Sequence, residues 1–158
     1  MDLNNIKLDF YSDFLGEFEI RFYCNAETTE FKLNISENES GGYSQISLKQ
    51  GENEIYHFSL WEGYFSQLID ILINNFTSVE LPKFILDYQF CEGWVWDTNY
   101  ELITERELDW VLIQIEKSLM NNKENNKNDF WSLDCIHNLY LFLKFVKDNN
   151  LQLHITKE

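Results

Sequence analysis

The sequence predicts an α+β domain: an antiparallel sheet of about five or six strands with one central helix and a C-terminal antiparallel helix pair packed on one face. Three observations predict it. The first sixty residues alternate apolar and polar at period two, and three later stretches repeat apolar positions at helical spacing. A length of 158 residues suits one domain over 1–158, and a domain of that size removes roughly 70% of its unfolded surface from water.

Taken in order, Ile6 to Tyr11 reads as a first strand. Phe18, Ile20, Phe22 and Cys24 alternate with Glu17, Glu19, Arg21 and Tyr23, and Phe31, Leu33 and Ile35 alternate with Glu30, Lys32 and Asn34. Both runs predict strands with one wet face. A Gly41-Gly42 turn then leads to Tyr43–Lys49, and Gly51 leads to Ile55–Phe58, so a meander of four or five strands is expected.

Ser59-Leu60-Trp61-Glu62 has the form of a capping box, which predicts a helix start there. The helix carries Leu60, Trp61, Tyr64, Phe65, Leu68, Ile69, Leu72 and Phe76 on its apolar side and frays at Asn74-Asn75. After Pro82, the sole proline, alternation of Phe84, Leu86, Tyr88 and Phe90 predicts a strand that bends at Gly93. Thr104-Glu105-Arg106-Glu107 is a second capping box, opening a helix whose face is Leu108, Val111, Leu112, Ile115 and Leu119. The polar run Asn121–Asn128 predicts an exposed connection to a last helix, roughly Asp129–Asp148, with Leu151, Leu153 and Ile155 forming a closing strand.

Charge is unevenly distributed. Residues 1–103 hold 18 acids and 5 bases, a balance of −13, whereas residues 104–158 hold 9 acids and 7 bases, a balance of −2. Such asymmetry predicts that one part of the surface faces a cationic partner. Hydrophobic content of 44% and aromatic content of 16% exclude a disordered acidic tail. The first residues have no basic, then apolar, leader pattern, which predicts a cytoplasmic protein; the apolar runs fall short of a bilayer span.

Catalytic signatures are absent from the sequence. Asp134, Cys135 and His137 are the nearest approach to a metal cluster, but the second ligand pair that a helical site needs is missing, so no metal and no cofactor is expected. There is no nucleophile elbow and no phosphate-binding glycine loop, and Cys24, Cys91 and Cys135 read as buried reduced thiols, so the expectation is a protein that is not an enzyme. The net negative charge would repel a phosphate backbone or an anionic lipid surface, which argues against direct nucleic-acid and membrane partners.

One stretch has the composition of a binder. Asp87, Glu92, Asp97 and Glu101 interleave with Trp94, Trp96 and Tyr100, and neither Lys nor Arg falls between Asp87 and Glu101. Large rings anchor interfaces, and carboxylates pair with arginine and steer a basic protein inward. Glu37, Glu39 and Tyr43 form a second acidic, aromatic-edged loop.

In size, acidity and lack of catalytic motif, the whole chain resembles the immunity proteins of bacterial contact-dependent inhibition and other polymorphic-toxin systems. The resemblance is one of type and carries over no residue roles. It implies binding to a cognate, basic toxin domain, often a nuclease, whose groove the carboxylates would fill in place of phosphates. The same charge would suit a phage-encoded inhibitor or DNA mimic, such as an anti-restriction or anti-CRISPR protein; a small ligand-binding protein or enzyme is the alternative of a different class.

Overall fold

The computed structural model describes residues 6–26, 35–37, 44–46, 56–74, 81–90, 101–125 and 130–157 of the chain. The strands are β1 (Asp9–Phe10), β2 (Glu19–Ala26), β3 (Ile35–Glu37), β4 (Ser44–Ile46), β5 (Tyr56–Trp61), β6 (Glu101–Ile103) and β7 (Leu151–Lys157). The helices are α1 (Glu62–Asn74), α2 (Lys83–Phe90), α3 (Glu105–Asn125) and α4 (Phe130–Asp148), and a 3-10 turn covers Ser12–Phe14.

Five strands form one sheet in the order β1-β5-β2-β7-β6, so the α+β expectation holds, but the sheet is mixed. β1 runs parallel to β5, and every other pairing in this sheet is antiparallel. The expected meander is also replaced. β2 pairs directly with β5, while β3 and β4 pair with each other in a separate two-stranded sheet. The C-terminal strand lies inside the sheet, between β2 and β6, and does not close an edge.

Register explains which side chains meet. Phe22 lies opposite both Phe58 and Ile155, Ile20 opposite Leu60, and Cys24 opposite Leu153, so these residues share one face and are buried there. Phe22 tilts against Phe65 of α1, and Phe58 packs on Phe142 of α4, which places those helices on the apolar face. Each such buried side chain contributes about 1.5–3 kcal/mol relative to exposure. α3 packs on α4, and Lys147 near the end of α4 pairs with Asp109 in the first turns of α3. Among the described residues, no helix is long and apolar enough to cross a membrane.

The opposite sheet face departs from the predicted wet surface. Tyr23 is fully buried and Glu19 nearly so, with Arg21 half-buried between them. Glu19 and Arg21 form a charge-assisted pair through both carboxylate oxygens, which lets two charges occupy a covered surface.

Three local expectations are corrected. Ser59 does not cap a helix: β5 continues through Trp61, its Leu60 is buried opposite Ile20, and the Ser59 N–H donates to the Leu8 carbonyl. Residues 83–90 are helical: Phe84, Ile85 and Tyr88 share one face of a 3.6-residue period, whereas the two-residue alternation puts Ile85 on the wet side, and burial of both Phe84 and Ile85 selects the helix. Finally, α3 continues to Asn125, so the polar run begins inside a helix; residues 126–129 lie outside the described residues. The second capping box forms as expected, with the Glu107 N–H donating to Thr104 Oγ1 and the Thr104 N–H to Glu107 Oε2.

Candidate functional site

Between β1 and β2 the chain makes a turn that brings acids and apolar groups to the surface together. Asp9 starts it: Oδ1 accepts from the N–H groups of Tyr11 and Ser12 at 2.9 and 3.0 Å, an Asx turn that opens the 3-10 segment. A type II turn follows. Leu15 has φ −57° and ψ 125°, Gly16 has φ +100°, and the Glu17 N–H donates to the Phe14 carbonyl at 3.0 Å. Gly16 is required because the second central position of such a turn has positive φ. Tyr11 closes the loop, its hydroxyl donating to the Glu17 carbonyl at 2.8 Å.

The turn is clamped to the sheet by rings. Phe14 stacks on Trp61 at 4.4 Å with an interplanar angle of 3°, and Tyr64 meets both rings edge-on. Trp61 in turn lies over Gly63, where a Cβ would come within 2.3 Å of the indole, so the close approach demands glycine. What remains outside is Leu15, 80% exposed, and Phe18, 45% exposed, with the exposed acids Asp13 and Glu17 beside them. No Lys or Arg occurs from Leu8 to Ile20. Lys157 lies over the Phe18 ring, and its ammonium is paired with Glu62 at the start of α1. The Tyr88 hydroxyl of α2 reaches Glu62 Oε1 at 3.5 Å and shares a hydrogen bond of 2.7 Å with the Ser66 hydroxyl.

Of the residues expected to bind a partner, Asp87 lies on α2, where it pairs with Lys83 one turn earlier and is largely covered. Glu101 opens β6, opposite Ile155, and Glu37 ends β3. Glu92, Trp94, Trp96, Asp97, Tyr100, Glu39 and Tyr43 lie outside the described residues. The Asp13–Phe18 turn was not singled out by composition. Its signal in the sequence is the base-free run from Leu8 to Ile20, with acids at 9, 13, 17 and 19 around one glycine.

A second polar grouping occupies the covered sheet face. Tyr23 is opposite His57 on β5 and His154 on β7, so the three rings form a row, with Arg21 and Ser59 in the next. Burial lowers the His57 pKa, reinforced by the Arg21 charge and opposed by Glu19 and Asp9; burial holds His154 at about 4. Both imidazoles are therefore neutral near pH 7. The His57 Nδ1 has no hydrogen-bond partner among the described residues. Burial also pushes the thiols of Cys24 and Cys135 up to about 12, which removes them as nucleophiles. Among the described residues no group of three His, Cys, Asp or Glu could hold a metal ion.

No protein-family model, no curated protein and no solved structure matches this chain.

Proposed function

We propose that the chain is an immunity-type inhibitor that acts in the cytoplasm, binding and neutralising a cognate basic toxin domain through an acidic, ring-bearing surface. The observation that carries the reading is the concentration of charge: −13 over residues 1–103 against −2 over the rest. Exposed Asp13 and Glu17 beside exposed Leu15 and Phe18 support it, because steering by charge and anchoring by apolar groups are the two requirements of a fast, tight inhibitor. In this reading α3 and α4 form the antiparallel pair that backs one sheet face, leaving the acidic part to the partner. The strip Asp87, Glu92, Trp94, Trp96, Asp97, Tyr100 and Glu101 is its proposed contact, with Glu37, Glu39 and Tyr43 secondary.

The test is coexpression with the C-terminal domain of a toxin encoded beside the chain's gene. Restored growth and an equimolar complex, whose association slows when Glu92 and Asp97 are reversed in charge, are the expected results. A chain that neither binds the domain nor rescues growth overturns the reading. A partner that proves to be a restriction or guide-RNA nuclease moves the chain to the phage-inhibitor class.

One observation favours an enzyme or ligand carrier instead: the covered row His57, Tyr23 and His154 beside Arg21. Neutral histidines next to a phenol are able to move protons. Replacing His154 and His57 by Gln without loss of toxin neutralisation removes that alternative.

A further inference from the structure

We propose that the turn Asp13–Phe18 is a docking element for a cationic protein surface that carries an apolar pocket, with Leu15 as the inserted side chain and Asp13 and Glu17 as its charged rim. The inference deepens the immunity reading and rests on it for the identity of the occupant. Single exposed leucines are ordinary on protein surfaces. Leu15 differs in how it is held. It occupies the first central position of a type II turn, with its backbone at φ −57° and ψ 125° and Gly16 fixing the next residue at +100°.

Backbone bonds at Phe14 and Glu17, the Tyr11 hydroxyl and the Asp9 carboxylate leave little for a partner to order. Below the tip, Phe14 stacks on Trp61 and meets Tyr64 edge-on, so a force on Leu15 is borne by the sheet and α1. Anchors fixed before binding give the tightest contacts because the entropy of ordering has already been met.

Charge identifies the occupant. Asp13 and Glu17 are exposed on either side of Leu15, no base falls between Leu8 and Ile20 in the sequence, and the ammonium of Lys157 over the Phe18 ring is paired with Glu62. The surface that complements an apolar tip between carboxylates is a pocket edged by Lys and Arg. A second copy of this chain, at −15 overall, is a poor fit to that description.

The probe is the purified, catalytically inactive C-terminal domain of the toxin encoded beside the chain's gene, with an unrelated protein of matching positive charge as control. Binding kinetics are measured at low and high salt for the wild type, Leu15→Ser, the pair Asp13→Lys and Glu17→Lys, and Ile113→Ser at an exposed site on α3. Leu15→Ser is expected to speed dissociation by about 10–30-fold and leave association unchanged. The charge-reversed pair is expected to slow association about tenfold at low salt and to flatten its salt dependence. Ile113→Ser should change neither.

If the toxin domain binds the wild type tightly and both turn variants match it within about twofold, the docking element is wrong and the immunity reading stands. If the wild type does not bind, the reading beneath the proposal falls and takes it along. Equal affinity for the control protein, unaffected by Leu15→Ser, would show diffuse attraction without an anchor and would also overturn the proposal. All substituted side chains are exposed, and unchanged near-ultraviolet circular dichroism verifies the fold.

Discussion

The carboxylate of Glu107 reaches the backbone of Lys83: Oε1 accepts from the Lys83 N–H at 2.8 Å while Oε2 accepts from the N–H and hydroxyl of Thr104 at 2.8 and 2.7 Å. One side chain therefore serves the first turn of α2 and the cap of α3, two helices brought together only by the tertiary fold. Glu107→Ala should destabilise the protein by about 2 kcal/mol, roughly twice the loss from Thr104→Ala, which touches the α3 cap alone. Urea unfolding of both variants checks this, and equal losses would show that the bond to Lys83 contributes nothing.

Gly63→Ala tests the ring clamp. A methyl group there would sit 2.3 Å from the Trp61 indole, and Trp61 cannot swing away freely because Phe14 and Tyr64 enclose it. The better helix propensity of alanine offsets part of the strain, leaving a net loss of about 1–2 kcal/mol. The accompanying sign is a change in near-ultraviolet circular dichroism as the aromatic cluster rearranges. A stabilised protein with an unaltered spectrum would contradict the geometry.

Acid should weaken the fold through His154. Its folded pKa of about 4 lies below the ordinary 6.5, so the unfolded chain binds a proton that the folded chain refuses. Stability from this group is present above about pH 6.5 and is lost as pH falls towards about 4, in total about 3 kcal/mol. His57 acts in the same direction. The measurement is unfolding free energy against pH for the wild type and His154→Gln, and the variant should show a shallower slope across that window.

Native protein should resist thiol modification at Cys24 and Cys135. Both are fully buried and burial pushes each up to about 12, so reaction at about pH 8 requires unfolding. The experiment uses a Cys91→Ser background and compares modification with and without denaturant. Rapid labelling of the folded protein at either position would count against the packing around β2 or α4.

The two capping boxes show what sequence could and could not supply. Thr104 and Glu107 behave as local chemistry dictates. Ser59 and Glu62 carry the same pattern, but Leu60 gains more from pairing opposite Ile20 and entering the core than from starting a helix, and only tertiary structure reveals that. Phe84, Leu86, Tyr88 and Phe90 fit the two-residue period and Phe84, Ile85 and Tyr88 the helical one, so pattern alone had no means of separating helix from strand. The proposed turn is of the kind that composition looks for, acids beside apolar groups, while Glu92, Trp94, Trp96, Asp97 and Tyr100 of the strip that composition singled out lie outside the described residues. Composition favours windows dense in tryptophan, whereas the prominence of Leu15 depends on turn dihedrals that a residue count does not carry.

The position of β7 has a consequence for how the molecule comes together. β2 takes one of its two neighbours from residues 151–157, so Ile20 meets Lys157 only after all the residues between them have been made. Contacts of such long sequence separation slow the search for the native state. Until β7 pairs with it, β2 presents an open flank of amides and carbonyls, the kind of edge to which other chains can add during folding.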